Sequence, residues 1–252
     1  MTFNIAVMAA AEAREILRQY INDREEKLLN VSELRTKLEP LSRQQIKQII
    51  TGETDNGGNK VTHHAALRDD TEAMRFFLRL LSPQESYELL RIQSTFGSTA
   101  LHFSVMSEHI DTMKCILDSI PTRRYELLQI QGSVGNTVLH SAAESDHTKI
   151  IKVMLEQLSK EERYELIKIK AGSSWTAVHL AASYGYTETI KCILKSLPPQ
   201  RRLQILNITD GNGHTALDVT LNSNNREASE LIGQFQASAR IRNVHVDEHE
   251  QG

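Results

Sequence analysis

Four histidines recur at a regular interval and are the first candidates for chemistry. His63, His102, His140 and His179 are separated by 39, 38 and 39 residues. Imidazole is a common zinc ligand and acid–base group, but one histidine per repeated unit is poorly placed for either role. Stacked helices lie about 8–10 Å apart, whereas zinc ligands lie about 2.1 Å from the metal. We therefore predict a scaffolding role for these histidines, with no metal and no cofactor.

The two cysteines follow the same interval. Cys115 and Cys192 occupy equivalent positions two repeats apart, which places them about 20 Å from each other at the helix spacing just used. A disulfide requires Cα atoms within about 7 Å, so we interpret both as small buried hydrophobic residues. Two thiols do not make a disulfide framework, and we predict a reducing, cytoplasmic location.

Catalytic motifs are missing from the sequence. It contains no phosphate-binding loop ending in Gly-Lys-Ser/Thr, no His-Glu-x-x-His and no Gly-x-Ser-x-Gly. Residues 1–57 contain neither histidine nor cysteine. We therefore predict that the chain is not an enzyme. The alternative is that it presents a substrate to an enzyme or has a site within residues 1–57.

Composition excludes several other classes of protein. The chain has 40% hydrophobic and 5% aromatic residues and a net charge of −3, which favours an aliphatic core and argues against a nucleic-acid partner. No apolar run reaches the roughly 18 residues of a membrane span, so we expect no membrane insertion. Residues 5–11 are apolar but lack a preceding basic segment, and we predict a buried helix face rather than a signal peptide.

The elements that must position these residues are repeats. Residues 97–102 (Gly-Ser-Thr-Ala-Leu-His) recur at 135–140, 174–179 and 213–218, and more weakly at 58–63. Small residues follow the motif, then a polar turn, then an apolar helix such as 150–155. This order predicts two antiparallel helices per copy, which must stack because neither buries its apolar face alone.

The motif Thr-x-Leu-His-x-Ala-Ala, followed by a turn and Ile-x-Lys-x-Leu-Leu, resembles the ankyrin repeat over residues 58–235. The resemblance implies an all-α, ankyrin-type helical solenoid with short hairpin loops, in which each histidine bonds the backbone of a neighbouring hairpin. Five repeats start at residues 58, 97, 135, 174 and 213. The signature residues are His63, Thr99, Leu101, His102, Thr137, Leu139, His140, Thr176, Val178, His179, Thr215 and Leu217.

The period of 38–39 residues exceeds the 33 residues typical of ankyrin repeats. The additional residues contain Ser-x-x-Glu capping boxes, at Ser82 with Glu85 and at Ser159 with Glu162. A short third helix in each repeat is therefore predicted. At the turn between the two main helices only Gly185 is glycine, and we expect Glu108 to be strained there by about 1–2 kcal/mol.

The two ends of the chain depart from the repeat. We interpret residues 1–57 as a divergent helical N-terminal cap, because the end of a repeat array would otherwise expose its apolar face. Residues 236–252 are predicted to be a polar, disordered tail.

The resemblance also implies a binding surface, on the hairpin tips and the concave side of the first helices. Trp175, the single tryptophan, is placed at a tip with no evident core to fill, so we expect its replacement to leave the melting temperature unchanged. The alternative is that it packs along the next hairpin. The candidate partner-binding residues are Phe96, Met106, Ser107, Val134, Glu144, Trp175, Ser183, Tyr184 and His214.

Two functions fit these observations. The first is a monomeric protein-interaction scaffold that binds another protein. The second is an ankyrin-repeat effector of an intracellular bacterium, delivered into the host cytosol to bind a host protein, with the polar C-terminus as a secretion signal.

Overall fold

The computed structural model describes residues 2–23, 25, 27–132 and 134–249, and within them the chain forms seventeen helices and no strand. The all-α fold of ankyrin type is confirmed. The chain divides into two compact units, Met1–Ser133 and Val134–Gly252.

The N-terminal unit begins with α1 (Thr2–Asn22), α2 (Val31–Leu38) and α3 (Arg43–Gly52). Ala13 and Leu17 of α1 are fully buried against the neighbouring helices, whereas Ile5, Val7 and Met8 are exposed. The expectation that residues 5–11 form a buried face is therefore wrong for these three side chains. The buried positions are spaced four residues apart from Ala9 onward, which is the period of one helix face.

The first two repeats complete this unit. Repeat one consists of α4 (Val61–Leu67), α5 (Thr71–Arg79) and α6 (Pro83–Leu90), and repeat two of α7 (Ala100–Met106), α8 (Ile110–Ser119) and α9 (Arg124–Leu128). Like helices pack together, α4 against α7 and α5 against α8.

The C-terminal unit contains the other three repeats. They comprise α10 (Val138–Glu144), α11 (Thr148–Glu156) and α12 (Lys160–Ile167); α13 (Ala177–Tyr184), α14 (Thr187–Lys195) and α15 (Pro199–Leu206); and α16 (Ala216–Asn222) with α17 (Arg226–His249). Both predicted capping boxes are present, at the starts of α6 and α12, and the predicted third helix occurs in repeats one to four.

Helix α17 differs from the disordered tail expected from residue 236. It continues to His249, and residues 250–252 lie outside the described residues. Ala228 and Ile232 are buried where α17 packs against α14, α15 and α16. Between Gly233 and Gly252 the sequence has no glycine or proline, so nothing in it interrupts a helix that is already anchored.

Candidate protein-interaction surface

The repeated histidines connect one hairpin to the next. Nδ1 of His140 accepts a hydrogen bond from the Thr137 N–H at 3.2 Å, and Nε2 donates to the Trp175 carbonyl at 3.1 Å. Because Nδ1 is an acceptor, the ring is neutral with its proton on Nε2. The same pair of bonds joins His63 to Lys60 and Ile92, and His179 to Thr176 and His214.

Burial keeps these rings neutral. Desolvation lowers the pKa of His63 and of His140 to about 4, although backbone carbonyls that accept from their rings act in the opposite direction. Desolvation also lowers the pKa of His179. No group of three His, Cys, Asp or Glu side chains that could hold a metal ion occurs within the described residues. The rings are thus used as two-ended hydrogen-bonding groups.

The fifth repeat has Asp218 in place of this histidine. Its Oδ2 accepts from the N–H of Thr215 at 2.8 Å and from the hydroxyl of Thr215 at 2.7 Å. A carboxylate can only accept hydrogen bonds, whereas imidazole can also donate. Within the described residues α16 is followed by α17 and not by another hairpin, so a donor at this position has no hairpin carbonyl there to reach.

The turn residues also connect neighbouring repeats. Asp69 has a left-handed φ of 53°, and its Oδ1 accepts from the Thr112 hydroxyl at 2.8 Å. The Thr112 and Thr71 hydroxyls lie 2.7 Å apart. Asp146, Thr189 and Thr148 form the same arrangement in the C-terminal unit. Aspartate at the turn therefore tolerates the backbone and also bonds the next repeat.

In the N-terminal unit, the predicted surface residues Phe96, Met106 and Ser107 are all exposed, with Phe96 74% exposed at its hairpin tip. Leu67 is also exposed, although it was not among the residues predicted from the sequence. Leu67 lies nine residues after its repeat start, as Met106 does, so the repeat register would have found it.

In the C-terminal unit, Val134, Glu144, Tyr184 and His214 are exposed, whereas Ser183 is half-buried. The Tyr184 ring stacks on that of Tyr186, with centroids 5.4 Å apart. Leu221 is a further exposed apolar residue and was not among the predicted ones.

Trp175 is half-buried, and its indole N–H donates to Asp210 Oδ2 at 3.1 Å. Asp210 also accepts from the backbone N–H groups of Asn212 and His214 in the next hairpin. The tryptophan thus contacts the following hairpin, as the alternative interpretation supposed. We now expect its replacement to lower stability.

The chain shows the features of a repeat scaffold. No described helix is both long and apolar enough to cross a membrane. A family model of ankyrin repeats, in three copies, matches residues 62–164, and the same helix order continues in the repeats that start at 174 and 213. No curated protein sequence matches the chain. Ankyrin repeats indicate a protein–protein interaction module and are generally non-enzymatic. We conclude that the chain contains ankyrin repeats.

Proposed function

We propose that this protein is an interaction scaffold that binds a partner protein through its hairpin tips and the ends of its first helices. The observation that supports this surface is the distribution of exposed apolar side chains. Within the described repeats, every large exposed hydrophobic residue belongs to a tip or a first helix, and none to a second or third helix. They are Leu67, Phe96, Met106, Val134, Tyr184 and Leu221.

Within each unit this distribution points to binding, because exposed apolar side chains that recur at equivalent repeat positions mark an interaction site more than scattered ones do. Leu67 and Met106 occupy equivalent positions on α4 and α7, which pack side by side. Burying one such side chain contributes about 1.5–3 kcal/mol. Two or three anchors in the N-terminal unit would therefore supply a substantial part of a typical interaction energy.

Affinity capture from the native cell, followed by titration of the purified partner, tests the proposal. The variant Phe96→Ser/Met106→Ser removes two anchors and should weaken binding at least about tenfold, since interface hot spots each contribute more than about 1 kcal/mol. Both side chains are exposed, so the melting temperature should stay close to that of the wild type.

The matched control is Gln84→Ser/Glu88→Ser, which alters two exposed residues of the third helix α6. It should bind the partner as the wild type does. Equal binding by the anchor variant, or equal loss in the control, would place the interaction elsewhere on the molecule.

The effector hypothesis depends on a secretion signal within residues 236–252. Removal of these residues in a translocation assay tests it, and abolished delivery is the expected result. Because α17 packs against α14, α15 and α16 before residue 236, the shortened chain should still fold.

A further inference from the structure

A groove of about 690 Å³ runs between α5 and α8 in the N-terminal unit. It lies on the second helices and is therefore distinct from the tips and first helices discussed above. Leu78, Leu81 and Cys115 contribute apolar surface to it, and Pro83 and Ser86 at the start of α6 also line it.

The walls of this groove are basic. Arg75 and Arg79 lie one helical turn apart on α5, and Lys114 lies on α8. None of these three cations forms an ion pair within the part of the chain that the structure describes. Of the two carboxylates that line the groove, Asp118 is paired with Arg124 at 3.2 Å. Three cations therefore line the groove with one carboxylate, Asp111, that forms no ion pair within the described residues, beside the Asp118–Arg124 pair.

One repeated position is occupied by a smaller side chain where the groove lies. The residue 18 positions after each repeat start is phenylalanine, valine or leucine in the first, third and fifth repeats, but cysteine in the second and fourth. These residues are Phe76, Cys115, Val153, Cys192 and Leu231. The second cysteine also lines a groove, of about 460 Å³ between α11 and α14, with Lys152 on one wall and Lys195 on the other. The same construction therefore occurs once in each unit.

The thiol itself does not explain the groove. Burial raises the pKa of the Cys115 thiol, although Arg75 and Arg79 act in the opposite direction, so it is not an activated nucleophile.

Guanidinium groups pair with carboxylates through two parallel hydrogen bonds. The nine residues of α5 extend for about 14 Å, which an extended peptide covers in about four residues.

We propose that the groove between α5 and α8 binds an extended acidic segment of a partner protein. Carboxylates of this segment pair with Arg75, Arg79 and Lys114, and an apolar side chain between them contacts Leu78 and Cys115. Charge complementarity selects this occupant, since the three cations have no carboxylate partner of their own in the groove.

The half-exposed Cys115 provides a readout inside the groove. In a Cys192→Ser background it is the sole thiol, and its alkylation by neutral iodoacetamide can be followed with and without peptide. The probe is a short peptide that alternates glutamate with leucine and serine. We expect it to slow alkylation saturably, and a peptide with glutamine in place of glutamate to have little effect.

The peptide concentration that halves the alkylation rate should be about tenfold or more higher for the variant Arg75→Glu/Arg79→Glu. Each alkylation rate is compared with that of the same variant measured without peptide. The matched control, Lys149→Glu/Lys160→Glu, makes the same change in net charge at exposed positions outside both grooves. It should retain protection. Absence of saturable protection, equal protection by the glutamine peptide, or equal loss in the control would each overturn the proposal.

Discussion

At the scale of single residues, the left-handed turns show how much one position depends on its neighbours. Asp69 and Glu108 occupy the same position in consecutive repeats, with φ of 53° and 57°. The sequence predicted strain at Glu108 from backbone geometry. It did not predict that Asp69 bonds Thr112, because that bond joins residues 43 positions apart.

This difference gives opposite expectations for two variants. Glu108→Asn should raise the free energy of unfolding by about 1 kcal/mol, because asparagine adopts the left-handed region at lower cost. Asp69→Gly should lower it by about 1 kcal/mol, because Thr112 loses a hydrogen bond. Urea denaturation measures both. If Asp69→Gly also raises the free energy of unfolding, the side-chain bond of Asp69 gives no net stabilisation.

The buried histidines make stability depend on pH. The pKa of His140 is about 4 in the folded chain and about 6.5 when unfolded, so the unfolded state takes up the proton first. Its contribution to stability is complete above pH about 6.5 and is lost as the pH falls toward about 4, at about 1.4 kcal/mol per unit and about 3 kcal/mol in all.

The variant His140→Gln isolates this contribution. It should be less stable than the wild type at neutral pH, because glutamine reproduces the two hydrogen bonds less well, yet lose less stability on acidification. Urea denaturation between pH 7 and 4.5 should therefore give a flatter dependence, by about 1.4 kcal/mol per unit. Parallel curves for the two proteins would show that His140 does not take up a proton in this range.

At the scale of elements, the third helices followed from their capping boxes, but the length of α9 did not. The other three third helices have eight residues, whereas α9 has five and begins at Arg124. Its repeat has Pro121 at the position of Ser82, and Arg123 makes no side-chain capping bond. Each eight-residue third helix has a capping serine or a proline at its first position, whereas repeat two has neither and carries Thr122 there. No local residue therefore stabilises an earlier first turn in α9.

Placing the Ser-Pro pair that starts α6 at the equivalent position of repeat two should lengthen α9. The variant Pro121→Ser/Thr122→Pro supplies a capping hydroxyl and a proline at the first helical position. We expect α9 to begin about two residues earlier and the chain to gain about 1 kcal/mol. Slower amide hydrogen exchange at Arg124 and Tyr125 would report the added turn. Unchanged exchange there would mean that tertiary contacts, not capping, determine where α9 begins.

At the scale of the whole molecule, the repeat order and the third helices could be predicted from the sequence because they depend on local patterns repeated in register, whereas the tip positions followed from the resemblance to ankyrin repeats. Trp175 and α17 could not be predicted in this way. The indole of Trp175 is held by Asp210, 35 residues away, and α17 continues an anchored helix through a polar sequence. Both outcomes depend on tertiary contacts, which composition and spacing do not report.

We propose that the N-terminal helices α1, α2 and α3 cap the array by covering the apolar face of the first repeat. Asp70 at the start of α5 is buried and accepts from the Tyr20 hydroxyl at 3.2 Å and from the Leu29 N–H at 2.8 Å. Leu34 on α2 is fully buried, whereas Leu28 is 64% exposed.

If these helices protect the apolar face of the first repeat, Leu34→Asp should lower the free energy of unfolding by about 3 kcal/mol or more, because it removes a buried side chain and introduces an unpaired charge. It should also increase the binding of a hydrophobic dye. Leu28→Asp makes the same chemical change at the surface and should alter stability by less than about 0.5 kcal/mol. Similar melting of the two variants would mean that α2 can detach while the repeats remain folded, and that the array does not need this cap.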